Sequence, residues 1–188
     1  SATCSKAIVN VTVSGGSVTP TNLSLPAFSA FTTIVDGKQY NFYNTGSVTV
    51  NRSTTNGNYI FPNVEITEGS PLSYSYTVAD GIRYIIPNSN VDISTLKVRV
   101  QQSANSSVYE TWSRSDSIVT ADATTKAFWV KEIDDGLYEV TFGDGVVGRS
   151  LDIGNVVHFD YFISSLDAAN GASQFTYNGA TLLSGAQV

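Results

Sequence analysis

The sequence predicts an all-β protein, built as an antiparallel sandwich or barrel-like fold with only short helical turns. Val, Thr, Tyr, Phe, Ser, Asn and Gly are abundant, whereas strong helix formers are scarce outside short turns. Apolar and polar residues also alternate at period two, in short runs that end at Gly, Pro, Asn or Asp. Many short strands separated by turn residues are typical of sandwiches and barrels.

The strands follow from these runs in chain order. Alternation bounded by turn residues predicts strands at 7–13, 28–35, 40–43, 47–51, 58–61, 63–67, 72–78, 82–86, 96–102, 108–112, 128–133, 137–142, 156–163 and 175–177. Short helical turns are expected where capping residues or helix formers interrupt the pattern. They lie at 92–96 with Asp92 as the cap, within 115–125, and at 166–170, ended by a left-handed Gly171.

The chain length suits one large domain or two small ones, since 188 residues can bury about 70% of their unfolded surface. A hydrophobic content of 41% is that of a globular protein. We place a soft boundary so that residues 1–88 form an N-terminal β subdomain. Residues 89–188 then form a C-terminal β subdomain, and the two are free to intertwine.

Composition also argues against several classes of function. A net charge of −6 disfavours nucleic acid as a partner, because phosphates require a basic surface. No apolar run approaches the length of a membrane span, and nothing resembles a signal peptide. The single cysteine, Cys4, forms no internal disulfide and is expected to be an incidental exposed thiol. The sequence has no methionine, which predicts a processed product or a piece of a longer protein.

The run 128–142 predicts a hairpin whose register can be chosen from charge. A two-residue turn would place Glu132 opposite Glu139, and facing like charges destabilise a strand pair. A three-residue loop with a bulge and a left-handed Gly136 places Lys131 opposite Glu139 instead. We therefore expect the second register, whose pairs are Lys131–Glu139, Val130–Val140 and Phe128–Phe142.

The run 142–148 contains three glycines with the spacing GxGxxG. Such a loop binds nucleotide phosphates where a strand precedes it and a helix follows it. A strand is expected before it, but Gly154 and the β-branched, aromatic run at 156–163 come after it. We therefore interpret the glycines as turn residues that permit positive φ, and not as a phosphate site.

Catalytic interpretations of the polar residues are weak. His158 is the sole histidine, and Asp160 could orient it toward a serine nucleophile. One histidine fixes no triad geometry, so an ordinary half-exposed strand histidine is preferred. Four aspartates could hydrolyse glycosides in pairs or hold calcium, but most of them occupy turns, where Asp bonds the local backbone. They are Asp134, Asp135, Asp144 and Asp152.

Aromatic residues leave one alternative function open. Trp112, Trp129 and the ten tyrosines could stack on sugars, as in carbohydrate-binding or host-adhesion sandwiches. Most of them fall at period-two positions beside Val and Ile, which is typical of a core. A carbohydrate-binding or host-adhesion domain is therefore the alternative, and a hydrolase ranks below it.

Short motifs follow one another through the second half of the chain, within roughly residues 83–175. They are IIPN at 85–88, VD at 91–92, LKVRV at 96–100, FWVKE at 128–132, DG at 135–136, YEV at 138–140, FGDGVVG at 142–148, GNVV at 154–157 and ANG at 169–171. In these motifs and their order, the second half of the chain resembles the baseplate wedge proteins of contractile-tailed bacteriophages, the baseplate-J-like family. Residues 1–80 are similar to the family only in their β-rich character.

The resemblance implies a fragment of a virion structural protein in the phage tail baseplate, assembled in the host cytoplasm. Such a protein has no enzymatic activity and needs no cofactor. From the composition and the residue pattern we also expect no metal site and neither nucleic acid nor membrane as a partner. Its partners are other baseplate wedge subunits, with homodimer and ring contacts in the full-length protein, and it passes on the trigger for contraction. The expected subunit-contact residues lie in the two segments 142–148 and 166–171. They are Phe142, Gly143, Asp144, Gly145, Gly148, Asn170 and Gly171.

Overall fold

A computed structural model of the chain describes residues 1–16, 20–116, 121–167, 169–183 and 186–188. Those residues form fifteen strands and one three-residue helical turn. The expected all-β class is therefore confirmed. The chain packs as two compact units, which we name by their place in the sequence. The mid-chain unit contains Leu72–Ile163 with Ser1–Thr3, and the flanking unit contains Cys4–Pro71 with Ser164–Val188.

The flanking unit contains a six-stranded sheet and a separate pair of strands. Its strands are β1 (Lys6–Val13), β2 (Asn22–Leu25), β3 (Ala30–Val35), β4 (Lys38–Asn44), β5 (Val48–Asn51), β6 (Tyr59–Glu68), β14 (Thr176–Tyr177) and β15 (Ala186–Gln187). The sheet order is β14-β3-β4-β6-β1-β15, and β2 pairs with β5 alone. Because the two edge strands β14 and β15 contact each other, the sheet is nearly closed into a barrel.

Alternation explains the core of the flanking unit. Every second residue of β1 faces inward, so that Val9, Val11 and Val13 are buried while Ile8 is exposed. The largest fully buried side chains of this unit are Tyr59, Phe31, Phe42, Phe61, Leu25 and Ile66. Aromatic and branched residues at strand positions therefore close this barrel, as the period-two pattern predicted.

The mid-chain unit contains one seven-stranded sheet. Its strands are β7 (Ser70–Thr77), β8 (Tyr84–Ile86), β9 (Val91–Gln101), β10 (Tyr109–Arg114), β11 (Ala127–Glu132), β12 (Tyr138–Phe142) and β13 (Val156–Ile163). The order is β7-β13-β9-β10-β11-β12-β8, with a parallel pairing between β10 and β11. The core contains Val98, Trp112, Phe128 and Phe159.

The hairpin of β11 and β12 has the expected register. Lys131 pairs with Glu139, and Phe128 pairs with Phe142. Gly136 is left-handed with φ of 68°, as predicted, and Asp135 beside it is also left-handed with φ of 63°. Attraction between opposite charges and matching of apolar residues therefore gave the correct choice between two registers.

Two expected helical turns are wrong. Asp92 lies inside β9, where its carboxylate accepts hydrogen bonds from the backbone N–H and hydroxyl of Ser94. These bonds support an irregularity in the ladder, in which the Thr95 hydroxyl accepts the backbone N–H of Phe162. Leu166 has φ of 65°, which no right-handed helix accommodates. Part of the third expected turn, residues 117–120, lies outside the described residues, as does Ala168.

Cys4 corrects another expectation, because its side chain is buried and not exposed. The reason is that pairing with β6 extends beyond the start of β1: the N–H of Glu68 donates to the carbonyl of Ser5. The expected division into subdomains 1–88 and 89–188 stays a prediction. The compact units have their limits at residues 3/4, 71/72 and 163/164.

Candidate functional site

The segment Phe142–Gly148, which we call the glycine loop, is held closed by contact between its glycines. A Cβ atom added to Gly143 would lie 2.1 Å from the carbonyl carbon of Gly148. A Cβ added to Gly148 would lie 2.9 Å from Cη2 of Trp129, and this residue has φ of 81°. Both positions therefore require glycine, one for close backbone approach and the other also for its backbone conformation.

Asp144 organises the tip of the glycine loop. Its Oδ1 accepts the backbone N–H groups of Val146 and Val147, each at 2.8 Å. The N–H of Gly145 donates to the carbonyl of Gly148 at 3.0 Å. The backbone bonds from Val147 and Val146 lower the pKa of Asp144. The tip is therefore ordered by its own hydrogen bonds and needs no ligand to satisfy its carboxylate.

The chain leaves the glycine loop as irregular structure. The N–H groups of Gly148 and Arg149 donate to the carbonyls of Asp122 and Thr125, at 2.9 and 2.8 Å. No helix lies between residue 148 and the start of β13 at Val156, a stretch that is described throughout. The arrangement that holds nucleotide phosphates, a helix N-terminus after the glycines, is therefore absent from this stretch.

The expected contact residues of the glycine loop differ in accessibility. Asp144 and Gly145 are exposed, whereas Gly148 is buried. Phe142 points inward, where its ring meets Tyr84 edge to face at a centroid distance of 5.2 Å. Val146, which sequence reasoning did not single out, is 74% exposed at the tip. The surface that a partner could touch is therefore the tip formed by Asp144, Gly145 and Val146.

The second expected contact segment belongs to the flanking unit. Asn170 and Gly171 are both exposed, and Gly171 is left-handed with φ of 85°. Leu166 in the same segment also presents an exposed apolar side chain. The two candidate segments therefore belong to different compact units, and neither unit assembles both of them into one site.

His158 lies in a polar network on β13 and its neighbours. Its Nε2 lies 2.7 Å from Oε1 of Gln101, and Arg99 is directly across the ladder. Asp160 accepts the Nε–H of Arg99 at 2.8 Å and the hydroxyl proton of Ser73. Burial, and then the charge of Arg99, lower the pKa of His158, while Asp160 opposes them. The serine hydroxyl therefore bonds to the carboxylate instead of the imidazole, which is not a Ser-His-Asp arrangement.

The four candidate aspartates, all of which the structure describes, do not form a metal-binding group. Within the described ranges, no three His, Cys, Asp or Glu side chains converge as metal ligands do. The carboxylate of Asp144 bonds to the loop backbone, and the pKa of Asp144 is lowered, whereas a general acid requires a raised pKa.

No helix in the described part of the chain is long and apolar enough to cross a membrane.

The two tryptophans are placed as packing residues. Trp112 is only 3% exposed and meets Phe142 edge to face at 5.5 Å. Trp129 is half-buried and packs against Gly148. A sugar-stacking platform requires exposed ring faces, which Trp112 does not offer.

Taken together, these features define an all-β module in which glycine contacts and loop hydrogen bonds hold an exposed loop tip on a barrel-like sheet. Residues 72–175 match the family described as bacteriophage baseplate wedge protein gp6, third domain. Because the match covers more than half of the chain, the chain belongs to this family of phage baseplate structural proteins. No curated protein matches it.

The matched region begins at Leu72, where the mid-chain unit begins, and contains the whole glycine loop. It continues beyond Ile163 into the flanking unit as far as residue 175. The motifs at 85–171 therefore carried a correct resemblance, and the match begins about a dozen residues earlier than the motifs suggested.

Proposed function

We propose that this protein is part of the wedge of a contractile-tail phage baseplate, where it mediates subunit contacts and transmits the contraction trigger. The observation that carries the proposal is the family match over residues 72–175. A barrel-like unit with a self-ordered loop suits a role in which surfaces must keep their shape while force passes between neighbours.

The proposed contact surface of the mid-chain unit is the tip of the glycine loop. Val146 supplies exposed apolar area, and Asp144 supplies a carboxylate already fixed by two backbone N–H groups. A fixed loop loses little conformational entropy on binding, which favours association. Asn170 and Gly171 are proposed as a second contact on the flanking unit, since both are exposed.

The proposed partners are other baseplate wedge subunits, with homodimer or ring contacts in the full-length protein. The proposed location is the virion baseplate, after assembly in the host cytoplasm. We assign no enzymatic activity and no cofactor, and neither nucleic acid nor membrane is a proposed partner. The bonding of His158 to Gln101 and the use of Asp144 by its own loop support the non-enzymatic assignment.

The test is co-purification with candidate wedge subunits after co-expression, using the wild type and a variant at the loop tip. Val146→Asp adds a charge to an exposed apolar contact and is expected to lower recovery about tenfold, a loss of about 1.4 kcal/mol. Val108→Asp is the matched control, because Val108 is 65% exposed on a different loop of the same unit.

Equal recovery of the wild type and both variants would exclude the loop tip as a contact. Monomeric behaviour of the wild type with every wedge subunit tried would contradict the wider proposal.

A further inference from the structure

The mid-chain unit has a pocket of about 360 Å³ at the point where the glycine loop leaves β12. One wall is the end of β12 with Gly143, and the other is the segment 82–84, which leads into β8. Residues 78 and 150–151 complete the lining. The structure describes all of these residues, and they belong to one compact unit. The pocket is therefore formed entirely by interior segments of that unit.

More than half of the residues that line the pocket are apolar. They are Val78, Ile82, Tyr84, Val140, Phe142 and Leu151. The two valines are buried, whereas the other four side chains keep part of their surface exposed. An apolar occupant would remove that remaining surface from water, which favours binding. The volume also lies within the range of about 300–1,000 Å³ that is usual for binding pockets.

The pairing between β8 and β12 stops before β12 ends. The last pair joins Val140 to Tyr84. Ile82 does not continue the ladder, because its N–H donates to the carbonyl of Ala79 in a turn, at 3.4 Å. In the part of the chain that the structure describes, no strand pairs with Phe142 on the β8 side.

The main chain of Phe142 faces the pocket. The N–H of Ile133 donates to the carbonyl of Leu137, which directs the polar groups of Leu137 toward β11. Phe142 lies an odd number of residues further on, and successive residues of a strand alternate in direction, so its N–H and C=O point toward the β8 side. Unpaired main-chain groups at a strand edge are a template for an extended segment.

Exposed carboxylates surround the pocket. Asp80, Asp144 and Asp152 are exposed, and each lies within two residues of a residue that lines the pocket. Within the described residues, none of the three carboxylates forms an ion pair with a basic side chain. Their charge is therefore available to a basic partner.

The two basic residues at the pocket are already paired. Arg83 is part of the lining, and its Nε–H donates to Oε2 of Glu139 at 2.6 Å. Arg149 precedes the lining residue Ser150, and its Nη1 lies 3.4 Å from Oε2 of Glu110. The rim is therefore negative overall, and such a rim attracts a segment that carries positive charge.

We propose that this pocket binds an extended segment of a neighbouring wedge subunit, in which a large apolar residue is flanked by lysine or arginine. The apolar side chain packs on Ile82 and Leu151, and the main chain of the segment bonds to Phe142. The basic side chains lie near the carboxylates of the rim. Burial of the apolar side chain supplies most of the affinity, and the charges supply orientation and a faster association.

This inference rests on the proposed function for the identity of the partner as a wedge subunit, and it adds the chemistry of the partner's segment. The pocket itself is tested with a synthetic peptide and no wedge subunit. Failure of co-purification through Val146 would therefore leave peptide binding unchanged. Conversely, a pocket that bound no peptide would leave the contact at the loop tip unchanged.

The test uses the full chain and the synthetic peptide acetyl-SKLKS-amide, titrated while amide signals are followed by NMR. The signals of Ile82, Phe142 and Leu151 are expected to shift together and to give one dissociation constant. The control peptide acetyl-SKSKS-amide is expected to bind about tenfold more weakly, because it lacks the leucine side chain that the pocket buries.

Charge is tested from both sides of the contact. The peptide acetyl-SELES-amide is expected to bind at least threefold more weakly than acetyl-SKLKS-amide, a difference that added salt should reduce. Asp80→Lys is expected to weaken binding of acetyl-SKLKS-amide about threefold. Asp134→Lys is the matched control, since Asp134 is equally exposed but lies in the turn before β12, at the other end of that strand. It is expected to bind the peptide as the wild type does.

Three results would overturn the proposal. One is the absence of shifts at Ile82, Phe142 and Leu151 with acetyl-SKLKS-amide, and another is equal affinity for the leucine and serine peptides. The third is a shift of the same three signals in the protein alone that grows with protein concentration, since a second copy of the chain would then occupy the pocket.

Discussion

Tyr76 of β7 meets Tyr84 of β8 edge to face, with ring centroids 5.6 Å apart and an angle of 88° between the rings. These strands are the two edges of the seven-stranded sheet of the mid-chain unit. The hydroxyl of Tyr76 also donates to the carbonyl of Ile85 in β8, at 2.5 Å. The side chain of Tyr76 therefore joins the two edge strands. It also bonds a backbone carbonyl of the edge strand β8, and unpaired backbone groups at a sheet edge promote aggregation.

Removal of the Tyr76 hydroxyl is expected to destabilise the protein modestly. Tyr76→Phe keeps the ring contact and loses one hydrogen bond, so the free energy of unfolding should fall by about 1 kcal/mol. Denaturant unfolding measures the change. Tyr74→Phe is the control, because Tyr74 is a neighbouring exposed tyrosine on the same strand. An equal loss in both variants would show that the bond to Ile85 does not close the sheet.

Gly148→Ala is expected to destabilise the protein more strongly. The new Cβ would lie 2.9 Å from Trp129 and 3.0 Å from the Cα of Gly143, at a residue with φ of 81°. Left-handed strain costs about 1–2 kcal/mol and the overlap about 1–3 kcal/mol, so a total loss of about 2–5 kcal/mol is expected. Chemical denaturation followed by tryptophan fluorescence measures it.

Gly154→Ala separates these two causes. Gly154 has φ of 92°, but a Cβ there would meet nothing within 4 Å. Only the conformational cost of about 1–2 kcal/mol is therefore expected. An equal loss in free energy of unfolding for Gly148→Ala and Gly154→Ala would show that overlap with Trp129 adds nothing to the cost of the Gly148 substitution.

The fold class and the hairpin register could be predicted from the sequence because both depend on local pattern. Period-two alternation identifies strand faces, and the charges of Lys131 and Glu139 choose between two registers. The glycine loop was also correctly interpreted as a turn, since no helix could follow it. What the sequence does not show is that Gly143 packs on Gly148, because that contact depends on the path of the whole loop.

Other features could not be predicted because long-range pairing overrides local preference. Asp92 is a residue type that caps helices, yet pairing with β13 places it and the residues after it in β9. Cys4 lies in a polar leader, yet the pairing of Ser5 with Glu68 extends the ladder up to it. The order of strands within each unit likewise depends on contacts between residues distant in sequence. Period-two patterns identify strands but do not predict which strands pair.

His158 is expected to make stability fall as the pH drops below about 6.5, the usual pKa of an unfolded histidine. Burial and Arg99 lower its folded pKa, although Asp160 opposes this, and Gln101 and Tyr109 also contact the ring. The unfolded chain therefore binds a proton that the folded chain does not, so acid favours unfolding in this window.

The measurement is denaturant unfolding at several pH values between about 7.5 and 5.5, for the wild type and His158→Gln. The variant removes the titrating group, so its stability is expected to fall less over this range. A parallel pH dependence in both proteins would show that other groups cause the decline.

Asp144→Asn is expected to loosen the tip of the glycine loop without unfolding the sheet. The carboxylate accepts the N–H groups of Val146 and Val147, and bonds to a charged acceptor are the stronger kind. Amide exchange at these two residues should therefore accelerate severalfold, with amides in β12 unchanged.

The same loop is expected to depend on pH. Because the folded pKa of Asp144 is lowered, the wild-type loop should keep its protection from amide exchange until the pH falls through that lowered value. The Asp144→Asn variant should show no such transition. Protection of the wild-type loop that did not change with acid would contradict the role given to the carboxylate.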